Sequence, residues 1–469
     1  MITNRIHIYL LLVIFLGGML VFIGKSFFLK KSFPWAALLF WILGVWSVLT
    51  NLIIIRDLNF SHGDYLSKGW HGEALAVSVF QGDLPIQFVG NLSTVILITG
   101  AMALMLGIIN QWYSSGFFLW LLFIIFSLSA VISSLFGTPG GGLTYRFFFP
   151  ALVMTVVWLS AIRTEDKFII YAKNTCLLYI WGSLLAAIIK PDWALLTGFS
   201  SDPGLFSGFS FTLFGVSANA NGLAPLALSF VFLDVYKPAP SRLIRFSNRL
   251  AAILVVIMTQ SRTVYVASLL GFFVMWLYSN PENLVLEKTE RLGMQIQWRF
   301  VFFFPLVVIV SSFLILSFSE LNSQKLNYYL SGRFELWKTA LNAWWNGNLL
   351  FGLGPSLWSN AKISHCVGPA GGQAHNMFVQ TLSTNGLLGL IFLITFIIRL
   401  MYDAWRTRLK TQGISICLAL MTVLRCLTES PLNSKAIDEG MLFMAIVIGS
   451  IIVWSKQTDR ESYQPLVVY

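Results

Sequence analysis

The chain is short of charge. Only 11% of its 469 residues are Asp, Glu, Lys or Arg, whereas soluble domains carry about 25%. That scarcity excludes a water-soluble globular protein. Histidine is scarcer still, with five in the chain, and no HExxH pattern occurs among them. No compact acidic pair of the DxD type occurs either. The spacing of His365, His375, Glu429 and Asp438 supports no metal site. The four cysteines, Cys176, Cys366, Cys417 and Cys426, form no CxxC pair and imply no disulfide framework. Cys417 and Cys426 lie on one apolar helix and cannot bridge each other. There is also no low-complexity segment, no internal repeat of fixed period and no room for a separate soluble domain.

What fills the chain is apolar. Hydrophobic residues make up 57%, and the mean hydropathy is +0.75. Many runs reach the length of about 20 residues that a helix needs to cross a bilayer. They are continuous rather than alternating, which excludes a β-barrel, so helices are the remaining spanning solution. Predicted helices cover 7–25, 33–55, 87–110, 117–137, 146–163, 168–190, 209–236, 244–260, 262–279, 299–318, 375–401, 411–428 and 437–455. The expected fold is all-α, a polytopic bundle of about 12–13 transmembrane helices with one large, partly helical loop over 319–374. The first run lacks a small-residue cleavage site and is expected to be retained.

The net charge of +11 does not signal nucleic acid, because the cations flank apolar runs. Arg242, Arg245 and Arg249 form one cluster; Lys288, Arg291 and Arg299 a second; Arg399, Arg406, Arg408 and Lys410 a third. The positive-inside rule puts these on the cytoplasmic side. The loop 319–374 and the turn 429–436 then lie outside, and the tail 456–469 inside. Within the loop, Trp337, Leu341, Trp344 and Trp345 keep helical spacing. They predict a helix lying at the membrane surface, N-capped by Ser331 and stopped at Asn346-Gly347.

Against that orientation, the outer cations stand out: Arg146, Lys190, Arg262, Arg333, Lys338 and Arg425. Arg262 sits in TQSRT at a hinge between two apolar helices, where a guanidinium needs a partner or an anion. Arg333, in SGRFELW near a helix start, is placed to hold an anion together with free backbone N–H groups. His375, in AHNMFVQ, has the residue type of a general base near neutral pH. Asn376 either caps the following helix or orients a sugar, and Gln380 lies one turn further on the same face. Arg425 and Glu429 are four apart, a spacing that allows an ion pair along one helix. Asn219 and Asn221 read as helix caps. Gly386 and Gly389 read as small residues for close helix packing.

These pieces resemble the O-antigen ligase and polysaccharide polymerase superfamily of bacterial integral-membrane glycosyltransferases. The resemblance rests on TQSRT at the hinge, SGRxxLW opening the loop, LFGLGPSLW inside it and AHNxxxQxLxxxGLLG closing it. It covers about 215–389, and SGRxxLW with GLGPSLW is closest to the exopolysaccharide-polymerase branch. It divides the chain into N-terminal helices 1–205, a ligase/polymerase-like core 206–455 that includes loop 319–374, and the tail 456–469.

The resemblance implies transfer of a glycan from undecaprenyl pyrophosphate to a sugar hydroxyl at the periplasmic face of the inner membrane. That transfer is metal-independent and inverting, with no cofactor. Arg262 and Arg333 match the family's pyrophosphate-binding arginines and His375 its base. Arg425, Glu429, Arg146, Asn376 and Gln380 are the supporting candidates. The acceptor is another lipid-linked glycan in a polymerase, the preferred reading, or lipid A–core in a ligase. Membrane lipids and a chain-length regulator are the other expected partners. A lipid-linked sugar flippase is the alternative class. It predicts repeat symmetry and charges near the bilayer midplane, whereas here the charges gather at the outer helix ends.

Overall fold

The computed structural model describes residues 44–45, 47–48, 116–137, 149–197, 211–217, 219–279, 333–355, 357–359, 373–432 and 438–463. The predicted helices 7–25, 87–110 and 299–318, most of 33–55, and the residues Arg146, Ser331, His365 and Cys366 lie outside them. In chain order the described elements are α1 (Phe117–Phe136), α2 (Phe149–Thr164), α3 (Asp166–Ile189), the single-turn α4 (Pro191–Ala194), β1 (Leu195–Thr197) and β2 (Phe211–Leu213). After these come α5 (Ala220–Tyr236), α6 (Arg242–Met258), α7 (Arg262–Ser279), α8 (Arg333–Trp345), α9 (Met377–Arg406), α10 (Ile414–Thr428) and α11 (Glu439–Tyr463).

The fold is an all-α bundle. Among the described residues four stretches are long and apolar enough to cross a membrane: α1, Lys167–Ile189 of α3, α9 and Glu439–Arg460 of α11. Shorter apolar helices accompany them. α11 is apolar all round from Met441 to Trp454 and is buried along that length, as a helix at the centre of a bundle must be. It packs against α2, α3, α5, α9 and α10. At the periphery, α6 exposes Leu243 and Phe246, and α7 exposes Leu269, Phe273 and Trp276. Such a surface is unfavourable in water and suits a hydrocarbon solvent.

Two expectations need correction. Residues 211–213, placed in a helix from 209, form strand β2, which pairs antiparallel with β1 in the register Leu196↔Thr212. The helix starts instead at Ala220, where the Asn219 side chain accepts from Gly222 N at 2.7 Å. Gly386 was read as a packing residue, but it breaks α9 in two, with φ 68° and ψ −165°. Gly389 does serve packing: a Cβ there lies 3.3 Å from Ser129 Oγ of α1.

The break is spliced by the GLGP segment that follows α8. Leu353 N donates to Ser383 O and Gly354 N to Thr384 O, both at 2.9 Å. In return Leu387 N donates to Leu349 O at 2.9 Å and Leu388 N to Leu350 O at 3.2 Å. Backbone groups freed by the break are thus satisfied inside the protein, the condition for irregular backbone at such depth. A Cβ at Gly386 would lie 2.3 Å from Leu350 O, and its positive φ already disfavours a side chain. Gly386→Ala is therefore expected to cost at least about 1–3 kcal/mol. A lowered unfolding temperature in detergent measures it, and an unchanged one argues against the splice.

The two ends of the bundle differ. One end is laced by ion pairs: Lys173 and Arg249 on Asp234, Arg399 on Asp403, Arg406 on Asp459, and Lys456 and Arg460 on Glu165. The other end gathers the starts of α5, α7, α8, α9 and α11 and the end of α10. There Arg333, His375 and Glu429 meet, with Arg425 and Arg262 at the same end.

Candidate functional site

Each site residue stands at a helix terminus, and local sequence explains why. α10 stops at Thr428 because Ser430-Pro431 follows, and the residue before a proline avoids helical geometry. The residue so restricted is Ser430; Glu429 before it, the C-cap of α10, is itself extended, with φ −147° and ψ 173°. Past the helix end the Glu429 side chain is no longer in helical register with Arg425, though the two line one cleft. The expected ion pair of Arg425 with Glu429 along one helix is accordingly replaced by others.

Glu429 Oε2 lies 2.9 Å from His375 Nδ1. Its Oε1 accepts from Arg333 Nη2 at 3.3 Å and from Asn221 Nδ2 at 2.9 Å. Arg333, the first residue of α8, also donates from Nη1 to Thr428 O at 2.6 Å. Three segments distant in sequence, carrying Asn221, Arg333 and His375, therefore converge on one carboxylate.

His375 is held in a left-handed conformation, φ 47°, that costs a non-glycine residue of order 1 kcal/mol or more. Its flanks show what enforces this. Trp337 Nε1 donates to Ala374 O at 2.6 Å, and Ala374 N donates to Gln380 Oε1 at 2.6 Å. Asn376 caps α9 by accepting from Phe378 N and Val379 N, and it donates from Nδ2 to Leu427 O at 3.1 Å. Asn376 and Gln380 therefore shape the His375 turn.

An ionised carboxylate only accepts, so the Glu429 contact fixes the proton of a neutral His375 on Nδ1. Nε2 then carries a free lone pair, and no hydrogen bond reaches it from the described residues. The Gln373 amide, 3.4 Å from Nδ1, is the weaker neighbour.

Burial alone raises the Glu429 pKa. The hydrogen bond and charge of His375, with Arg333 and Arg425, outweigh it and hold the carboxyl below its ordinary range. A depressed carboxylate pKa contributes stability that is complete above the unfolded value of about 4.3 and is lost as pH falls through the lower folded value. Unfolding temperatures taken from neutral pH down through that window are expected to drop more steeply for the unaltered chain than for Glu429→Gln. Parallel curves would contradict the assignment.

Arg425 is buried. It donates from Nη1 to the Asn221 carbonyl and stands over the Phe443 ring at 5.4 Å. It lines a narrow cleft between α5, α7 and α10 together with Asn221, Ser261, Thr263, Thr428 and Glu429. Arg262 is the exposed first residue of α7, at the same end of the bundle. Its neighbour Thr263 donates to Thr428 Oγ1 at 3.0 Å, and Thr428 is the residue whose carbonyl Arg333 holds. Thr263 and Thr428 thus tie the start of α7 to the residue that Arg333 holds. Lys190 is the C-cap of α3, and Lys338 is an exposed residue of α8.

The tryptophans of α8 differ from the surface stripe expected of them. Trp337 is buried with Leu336 and Ala340 against Ala374 and Val379, and Leu341 packs on this cluster. Only Trp345 is strongly exposed. The apolar face of α8 faces the start of α9, and the helix ends at Trp345 where Asn346-Gly347 predicts a stop.

Two participants escaped sequence reasoning. Asn221, read as a cap, ligates Glu429, and Trp337, read as a membrane anchor, fixes the Ala374 carbonyl. The asparagine left a signal, since a helix needs one N-cap and Asn219 already fills that position.

A multi-pass helical protein with a cluster of two arginines, a histidine and a glutamate at one end of its bundle is the class these observations define. Residues 249–394 match the family model described as O-antigen ligase, and over this segment the chain is similar to the O-antigen ligase/polymerase superfamily. Among curated proteins no match is found. The matched segment contains Arg262, Arg333 and His375; Asn221, Arg425 and Glu429 lie outside it.

Proposed function

We propose that the protein transfers a glycan from undecaprenyl pyrophosphate to an acceptor sugar hydroxyl in surface polysaccharide (O-antigen or exopolysaccharide) biosynthesis. The observation that carries this reading is the convergence of His375 and Arg333 on Glu429, with Nε2 of His375 bonded to none of the described residues. The acceptor oxygen attacks the anomeric carbon as the bond from that carbon to the pyrophosphate oxygen breaks. The electron pair leaves with undecaprenyl pyrophosphate, and the acceptor proton passes to His375 Nε2. Glu429 orients the ring and stabilises the imidazolium that forms.

Arg333 spends two of its five donor hydrogens on Thr428 and Glu429, which leaves the rest for pyrophosphate oxygens. Arg262, at the start of α7, supplies the second cation. Guanidinium charge does the work a metal does elsewhere, so the transfer is metal-independent, and attack in line inverts the anomeric centre.

The end opposite the site holds most of the described cations, which supports a periplasmic site in the inner membrane. The preferred acceptor is a second lipid-linked repeat, as in a polymerase, with a chain-length regulator as partner. Transfer to lipid A–core is the second reading, favoured by the description of the matched family. A deletion strain decides between them. Single repeats on lipid A–core mean a lost polymerase, and long chains stranded on undecaprenyl pyrophosphate mean a lost ligase. Purified protein that moves lipid-linked repeats across proteoliposomes without forming new bonds would sink both.

A further inference from the structure

Within α5, Pro225 stands four residues after Asn221. In a helix the carbonyl of residue 221 accepts from the N–H of residue 225, and proline has none. The Asn221 carbonyl is therefore released from the helix ladder, and Arg425 Nη1 takes it. The side chain of the same asparagine donates to Glu429 Oε1 at 2.9 Å. One residue thus faces Arg425 with its backbone and Glu429 with its amide. Arg425 has few other partners among the described residues: its Nε makes no hydrogen bond to them, and an aromatic face covers the guanidinium. A buried guanidinium so placed depends on the carbonyl it has been given.

We propose that Asn221 and Pro225 form a positioning pair, in which the proline frees the carbonyl that seats Arg425 and the asparagine amide aims Glu429 at His375. The pair touches no reacting atom. It acts through Glu429, on which three segments converge, and sets the ring orientation that the proposed transfer requires; the inference rests on that reading.

Proline and structural packing make opposite predictions at residue 225. Pro225→Ala restores a helical N–H and a better helix former, so if the proline only packs, the chain should unfold at the same or a higher temperature with kcat unchanged. If the pair is a positioning device, the restored N–H competes with Arg425 for the Asn221 carbonyl, and kcat falls while KM changes little. Asn221→Ala removes a hydrogen bond to a charged group, an effect of about tenfold in kcat. In a Glu429→Ala background Asn221→Ala should cost nothing further, because the group it acts through is gone.

The experiment measures bond formation by the full chain in lipid nanodiscs, with lipid-linked repeat as substrate. It also records the 15N signals of histidine-labelled protein, with His375 assigned by its loss in His375→Ala. The expected result is a shifted His375 signal and lowered kcat in both Asn221→Ala and Pro225→Ala. An unmoved signal in both, an unchanged kcat in both, or a full additive loss in the Glu429→Ala background overturns the pair. A shifted signal in a protein whose unaltered form makes no glycosidic bonds supports the pair and overturns the transfer reading instead.

Discussion

His375→Ala is expected to lower glycan transfer by about 10²–10⁴-fold, the range that a positioned general base supplies, while the protein still inserts and folds. The geometry sets this expectation in three ways. Nδ1 is committed to Glu429 at 2.9 Å, so the ring presents Nε2 in the tautomer that accepts a proton. The residue sits at φ 47°, a conformation the backbone adopts only under constraint, and the constraint comes from Trp337, Gln380 and Asn376 rather than from the imidazole. Removing the ring should therefore leave the turn in place. The loss should fall on kcat, because a base acts in the transition state and not in substrate binding. The measurement is single-turnover transfer with lipid-linked donor at saturating concentration. Retention of transfer within a few-fold of the unaltered chain would remove His375 from the reaction.

Arg333→Lys is expected to be nearly as damaging as Arg333→Ala, with transfer reduced by about 10²–10³-fold, the cost of removing one preorganised charge stabiliser. Two donors of the guanidinium fork already bind Thr428 O and Glu429 Oε1. A lysine brings a single nitrogen, which cannot hold both and also face a pyrophosphate. It therefore keeps the positive charge and loses the geometry. Donor affinity and kcat should both suffer, since the same side chain binds the pyrophosphate and holds the carboxylate behind His375. Titration with undecaprenyl pyrophosphate alone separates the two: weaker binding in both variants is expected, and unchanged binding would confine Arg333 to a structural tie between α8 and α10.

The helix bundle was legible from apolar run length, and the strongest site residues from being polar where little else is. Arg333 and His375 stood out for that reason, and the structure brings them to one carboxylate. What misled was local spacing taken as if helices continued. Arg425 and Glu429 are four apart, yet α10 ends at Thr428 between them, and Glu429 pairs with partners far away in sequence. Gly386 carries the same composition signal whether it packs a helix or breaks one, and only the paired backbone of Leu349–Gly354 distinguishes the two. Strand β2 was hidden by an apolar run that continues into α5. Trp337 looked like an interfacial anchor because helical spacing gives a stripe but not the surface that covers it.

The carboxylate at the centre of the site and the asparagine that aims it come from helices on either side of the segment that matches the family. Residues 249–394 thus carry the histidine without its partner. The unit that has to be exchanged intact in building chimaeras runs from the Asn219 cap to the start of α11. A graft cut at the edges of the matched segment would transplant His375 into a host whose own carboxylate must happen to stand within 3 Å, so success or failure of such grafts would report on the host's α10 rather than on the loop that was moved.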